Sequence, residues 1–484
     1  MHEFSIAVIG AGFSGTMLSL GLQASCPRGT RIHLIERSGR FGPGLAYNPA
    51  DAAHLLNVPA GRMSAFPDRP LDFLHWLQSR PDQCSPTPTE CAFVSRALYG
   101  AYLQDRLHEG LANRDCARLV LHHDRVEAVH RQAGGVQLQL ASGHALSVDV
   151  VVLAMGNDAP LPPIDATALQ RAGLWRVDPW SAEAFGALDP ATPVLLIGTG
   201  LTMVDAVVSL TDAGHRGPIH ALSRRGLVPQ AHLDTPAPVV SLQIPLPRDP
   251  VALLRRVRQE IARAMATGLP WQPVIDALRP HTQALWRGMG PLEQARFLRH
   301  ARPWWDMHRH RMAPEIAERI QQARATGQLR IHAGRITDVA EHGGQATVML
   351  RPRGTRRTER LVVGRVVNCT GPGSNVTHSA DPLIRALLRD GMARPDPLRL
   401  GLDVTEDCAV VARNGMVSRQ LFAMGPLTKG VWWEITAVPD IRCQCQQVAQ
   451  TIGSMIGLPA MRHTREGAYR PAGGQPPAHS VSAC

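Results

Sequence analysis

Three glycines and one carboxylate near the start of the chain have the spacing of a phosphate-binding turn. Gly10, Gly12 and Gly15, with Ser14 among them, follow the apolar run FSIAVI; a helix-like stretch, a turn at 27–29 and the run IHLIE then end at Glu36. The first glycine permits a tight turn, the second lets the backbone approach a pyrophosphate, and the third packs helix against strand. Free amides and the helix dipole then face the phosphates. Glu36 lies 21 residues beyond Gly15, where a carboxylate takes both ribose hydroxyls.

The same chemistry is offered again with one change. The run VLLI leads into Gly198 and Gly200, but Met203 takes the third glycine position, which is expected to push the helix slightly from the strand. The next strand ends in Arg224 and Arg225 instead of an acid. A guanidinium fork grips phosphate, whereas a carboxylate repels a 2′-phosphate, so this turn favours NADPH over NADH. The first turn, with its acid, then suits FAD. A nicotinamide reducing a flavin is the obvious division of labour.

The elements that must hold these turns repeat as well. RLVLHHDRVEAV, a Gly134-Gly135 turn, VQLQL and DVVVLAMGN in the first half are answered by LRIHAGRITDV, a Gly343-Gly344 turn, ATVML and GRVVNCTGPGSN in the second. Each half closes on a small-residue turn, at Ala154-Met155-Gly156 and at Cys369-Thr370-Gly371. Four elements in one order predict an α/β fold with two Rossmann-like dinucleotide-binding domains. The FAD domain is discontinuous, over 1–165 and 371–461, and the NAD(P)H domain spans 190–370 with a helical insertion at about 239–327. Residues 462–484 lack apolar periodicity and read as a disordered tail.

Composition narrows the class. The chain has 484 residues and a net charge of +11, and Lys429 is its only lysine. The basic residues are scattered without a groove-reading motif, so no nucleic-acid partner is expected. No apolar run reaches the length of a membrane span, and no signal peptide is read, so a cytoplasmic location and no membrane are expected. Nine cysteines without a C-x-x-C read as reduced thiols, Cys443 and Cys445 included. Asp306, His308 and His310 invite a metal reading, but residues two apart on a helix diverge and Arg309 and Arg311 repel a cation. No metal is expected; with Trp304 and Trp305 the stretch reads as a basic, aromatic wall for an anionic or aromatic substrate.

The chain resembles the bacterial FAD/NAD(P)-binding family related to class B flavin monooxygenases and amine N-hydroxylating monooxygenases. The stretches that carry the resemblance are 42–47 (GPGLAY), 56–60 (LNVPA), 72–77 (DFLHWL), 96–102 (RALYGAY), 223–226 (SRRG), 306–311 (DMHRHR) and 425–434 (GPLTKGVWWE). It implies that Gly425 and the segment from Thr436 approach the flavin ring, that Asn57 borders the ring from the other side, and that Val126 meets adenine through its backbone. Ala154 and Gly156 join the cofactor-binding set. Lys429 could favour reduced flavin through its ammonium and Asn57 could hydrogen-bond the ring, which makes these two the candidate catalytic residues.

The implied function is an FAD-dependent, NADPH-using oxidoreductase, a monooxygenase that uses molecular oxygen to hydroxylate a heteroatom of a small polar substrate. The alternatives are an NADPH-dependent flavin reductase or dehydrogenase with a non-oxygen acceptor, and a non-catalytic FAD-binding redox sensor. One departure weighs on the oxygen chemistry. The stretch Leu174–Ser181 has an aromatic where class B monooxygenases carry their signature, but lacks its histidine. The sequence leaves the oligomeric state open.

Overall fold

The computed structural model describes residues 3–47, 53–82, 86–132, 134–181, 183–235, 238–242 and 244–456; the expected tail lies outside them. The chain opens with β1 (Ser5–Ile9), α1 (Phe13–Ser25) and β2 (Arg31–Glu36), followed by α2 (Asp72–Gln78) and α3 (Arg96–Ala112). β3 (Arg118–His123), β4 (Val126–Gln132), β5 (Gly135–Leu140), β6 (Ala145–Val148) and β7 (Val150–Leu153) complete the first half. Then come α4 (Thr167–Arg171), β8 (Trp175–Arg176), β9 (Val194–Ile197), α5 (Leu201–Asp212) and β10 (Ile219–Ser223).

A run of helices follows: α6 (Pro250–Ala266), α7 (Gln272–Ala277), α8 (Thr282–Gly288), α9 (Pro291–Arg296), α10 (Arg302–Arg309) and α11 (Pro314–Ala325). β11 (Leu329–His342), β12 (Gln345–Pro352), β13 (Glu359–Val363) and β14 (Arg365–Asn368) come next. The chain then passes through α12 (Pro382–Arg389), β15 (Ala409–Val411), β16 (Val417–Ala423) and α13 (Val438–Met455). No described helix is long and apolar enough to cross a membrane.

One sheet has the order β15-β16-β7-β1-β2-β3 and a second the order β13-β12-β11-β10-β9-β14-β8. β1 lies parallel to both β2 and β7, and β9 lies parallel to both β10 and β14. Their near-continuous apolar sequences follow from this placement, since a central parallel strand is covered on both faces. β15 and β16 come from the far end of the chain and return to the first sheet, as a discontinuous domain requires. β4, β5 and β6 form a separate antiparallel sheet.

Two expectations need correction. α11 packs on α5 and β11 and carries the chain from β10 to its parallel neighbour β11, so it is the crossover helix of the second unit and not part of an insertion. It matches α3, which packs on α1 and β3 in the first unit. The amphipathic stripe of a crossover helix reads like that of any surface helix, which hid the distinction. The second sheet also takes in β8, paired with β14, ahead of the expected start at residue 190.

The repeat reaches single side chains. His33 Nδ1 on β2 lies 2.8 Å from His122 Nε2 on β3, and His220 Nδ1 on β10 lies 3.0 Å from His332 Nε2 on β11. Burial, then the partner imidazole, pushes His33 and His220 down to about 4 from 6.5, and burial lowers His122 and His332 too. As the pH falls, the unfolded chain therefore takes up protons before the folded one. The stability these pairs contribute is whole above 6.5 and is lost progressively toward 4. A urea midpoint that drops between about pH 7.5 and pH 5, and drops less in His33→Asn/His220→Asn, is expected. Equal pH slopes for the two proteins would contradict it.

Candidate functional site

The first glycine turn is locked by close approach. Gly10 has φ +100°, and a Cβ there would stand 2.5 Å from the Ala154 carbonyl oxygen at the end of β7. A Cβ on Gly15 would lie 1.8 Å from the Gly10 carbonyl oxygen and 3.3 Å from Ala154 Cβ. Strand, helix and neighbouring strand thus meet where no side chain fits. Gly12 immediately precedes α1 and gives it no side-chain cap, which leaves its leading amides for an anion. Gly44 of the 42–47 loop lies directly over Gly12.

Glu36 is drawn toward this turn. Its Oε2 accepts from the Ala11 amide at 2.9 Å, and its Oε1 accepts from the Ser38 amide and hydroxyl at 2.9 and 2.8 Å. On the other side, Gly425 takes φ +62° and donates to Gln444 Oε1 on α13 at 2.7 Å. A Cβ on Gly425 would come within 2.9 Å of Ser14 Oγ. Gly10, Gly12, Ser14, Gly15, Glu36, Ala154 and Gly425 therefore converge on the start of α1. The donors, the cramped glycines and the carboxylate fit a dinucleotide.

Further out, Gly156 has φ +73° with open space around it, and buried Val126 starts β4 opposite Leu140. Exposed Thr436 precedes α13, whose N-terminus at Ala437 has no side-chain cap.

The second turn repeats the lock. Gly198 has φ +120°, and a Cβ there would fall 2.2 Å from the Cys369 carbonyl oxygen, the counterpart of Ala154. Gly200 immediately precedes α5 with open space around it, and Met203 is fully buried in the core. Thr199 Oγ1 donates to Ser223 Oγ at 2.9 Å and also reaches the Leu227 carbonyl, while the Gly226 amide donates to Ser223 Oγ at 3.0 Å. This stitching holds Arg224 and Arg225 beside the turn. Arg224 is exposed and forms no ion pair with a described residue; Arg225 Nη2 lies 3.4 Å from the Arg299 carbonyl oxygen.

A third group joins α10 to the segment 429–434. Trp305 Nε1 and Arg309 Nε both donate to the buried Glu434 carboxylate, the second at 3.2 Å. Glu434 takes φ +62°, a left-handed conformation unusual for glutamate, next to Thr436. His310 Nε2 lies 3.9 Å from both Asp306 and Glu434, and burial pushes it down to about 4. Lys429 Nζ sits 5.4 Å from the Trp433 ring centroid, and Trp433 stacks on Trp286 at 4.6 Å. Burial, then Arg302, pushes the Lys429 ammonium down to about 8.

Trp305 and Arg309 of the expected wall thus turn onto Glu434, whose part in this cluster nothing in the sequence announced. His308 diverges from His310 and contacts the Trp304 carbonyl and the Trp271 ring. The Asn57 carbonyl lies 3.0 Å from His232 Nε2.

Residues 7–158 match the family described as FAD-NAD(P)-binding. The chain is similar to an L-aspartate N-monooxygenase (nitrosuccinate-forming) of Streptomyces cremeus, 27% identical over 269 residues. That alignment spans 46% of this chain and 39% of the relative's length. Among solved structures it is similar to the reduced form of ornithine hydroxylase from Pseudomonas aeruginosa, at TM-score 0.61 and 13% identity over 94% of this chain and 99% of that one. L-lysine 6-monooxygenase from Pseudomonas syringae gives TM-score 0.61 and 17% identity over 94% and 100%.

The chain shares the fold of these two hydroxylases. The first glycine turn lies inside the FAD-NAD(P)-binding region, and the second lies beyond it on the repeated unit. Hydrogen bonds to a charged group are worth about 1.5–3 kcal/mol each, so Glu36→Ala should weaken FAD binding at least tenfold. Equilibrium titration of flavin-stripped protein reads this, and an unchanged dissociation constant would remove Glu36 from the site.

Proposed function

We propose that this chain is an FAD-dependent, NADPH-using monooxygenase that hydroxylates the amine nitrogen of a small amino acid. One observation carries the reading. Two glycine turns on one repeated topology end differently, the first in a carboxylate and the second in an exposed arginine. Likeness in fold to ornithine and lysine hydroxylases, and in sequence to an aspartate N-monooxygenase, supports the amine as the reacting group.

On this reading residues 1–165 and 371–461 hold FAD and residues 190–370 hold NADPH. Gly10, Gly12, Ser14 and Gly15 cradle the FAD pyrophosphate, Glu36 takes the ribose, and Val126, Ala154 and Gly156 border the adenosine end. Gly425, Thr436 and the start of α13 face the ring, where a helix N-terminus favours negative charge. Gly198 and Gly200 receive the NADPH pyrophosphate while Arg224 and Arg225 grip its 2′-phosphate. Bound FAD, once reduced by NADPH, supplies the electrons with which molecular oxygen hydroxylates nitrogen, the second oxygen atom leaving as water.

The remaining residues hold the substrate. Lys429, with Arg302 and the ring of Trp433 beside it, offers a cationic, apolar-sided corner for a carboxylate. Asn57 stands at the seam between the two units, where its half-buried amide can orient a polar group.

The thiols support oxygen chemistry over disulfide reduction. Burial pushes Cys26 up to about 11 and Cys408 to about 12, and raises Cys369 and Cys445 as well, which keeps these four protonated and unreactive. Cys26, Cys91, Cys116, Cys369, Cys408 and Cys445 are free thiols, in keeping with work in the reducing cytoplasm.

Two measurements bear on this reading. Arg224→Ala should weaken NADPH binding about tenfold or more while leaving NADH nearly unchanged, since a charged bond to phosphate is worth about 1.5–3 kcal/mol; equal losses would sink the phosphate role. Lys429 loses its charge as the pH rises through about 8, so KM for a carboxylate-bearing amine should climb above that pH. Lys429→Arg should hold KM flat over the same range. A wild-type KM that ignores pH around 8 would exclude Lys429 from substrate binding.

A further inference from the structure

The stretch 96–102 and the helix after the second glycine turn are far apart in sequence, and the structure brings them together through one side chain. Arg96, the first residue of α3, donates from Nη1 to Asp205 Oδ2 at 2.9 Å and from Nη2 to Asp205 Oδ1 at 3.1 Å. Both side chains are largely buried, at 17% and 12% exposure, so the pair is weakly screened by solvent. Arg96 Nε also donates to the Leu55 carbonyl at 3.0 Å, and the Arg96 amide to the His54 carbonyl at 2.9 Å. One guanidinium thus holds the 53–57 segment, which carries Asn57, and α5 at once.

A second contact lies one helical turn further along α5, where His54 Nε2 is 2.8 Å from Ser209 Oγ. Ala53, Leu55 and Phe93 pack against the core of the second unit, and the seam encloses only about 20 Å³ of cavity space. Asp205 stands four residues after Leu201, the first residue of α5, so fixing Asp205 fixes the glycine turn at the helix start.

We propose that the Arg96–Asp205 pair is a positioning lock, which holds the second dinucleotide turn at one orientation to the first unit so that the nicotinamide meets the flavin without a domain rotation. The proposal rests on the cofactor reading above for its catalytic consequence but not for its structural one. Arg suits this role better than Lys, because a planar fork fixes direction as well as distance. A shift of about 1 Å between reacting groups costs on the order of a hundredfold in rate.

The test uses full-length Asp205→Asn and Arg96→Lys, with hydrogen exchange of the protein and anaerobic mixing with NADPH. Exchange should rise together at 53–57 and 201–209 while the central strands of both sheets stay protected. Flavin reduction by NADPH should slow at least tenfold, with the NADPH dissociation constant within about threefold of wild type and reduction by dithionite unchanged. Unchanged exchange at the seam, or unchanged reduction despite a loosened seam, would overturn the lock. So would recovery of neither variant as folded protein, which would assign the pair to folding alone. If NADPH fails to reduce even the wild type, the cofactor reading fails, and exchange at the seam still decides whether the pair orients the units.

Discussion

The architecture depends on a backbone carbonyl pressed against a glycine. In the first unit the Ala154 carbonyl oxygen occupies the space that a Cβ on Gly10 would need, and in the second the Cys369 carbonyl oxygen does the same to Gly198. These approaches set how far α1 and α5 start from their sheets. They also aim the opening amides of both helices at the crevice outside the strand ends, where dinucleotides bind in folds of this kind. Any side chain at either glycine would push the helix away and misdirect those amides.

Around these two points the chain uses long-range contacts to make one site from distant segments. Gly425 closes on Ser14, and Gln444 of α13 holds Gly425 in place. Glu434, held by Trp305 and Arg309 in a left-handed conformation, ties α10 to the stretch that leads into α13. Trp286 donates to the Gly430 carbonyl at 2.7 Å and stacks on Trp433, so the same segment is gripped twice by the helical region. α8 and α10 thus pack on the part of the chain expected beside the flavin ring, rather than standing away as an appendage.

Much of this was legible in the sequence. Apolar runs, glycine spacing and the terminal acid or arginine of each second strand mark both turns, because these features are local and depend on backbone geometry alone. The same order of elements in both halves marks the repeat. What was not legible depends on tertiary placement. α11 reads like the amphipathic helices before it, and only its packing on α5 makes it a crossover. Arg96 and Asp205 look like two surface charges until burial pairs them across 109 residues. Glu434 closed a recognisable stretch, yet nothing in its neighbours announced its partners on α10. The paired histidines belong to adjacent strands whose register the sequence leaves free.

The most direct test of an amine-hydroxylating role is mass spectrometry of amino acids incubated with the FAD-loaded protein, NADPH and isotopically labelled oxygen gas. The predicted result is one labelled oxygen atom on the amine nitrogen of an acidic or other small polar amino acid, with NADPH consumed and the second labelled atom in water. NADPH consumption that yields only labelled peroxide with every amino acid offered would contradict it and would favour a flavin reductase.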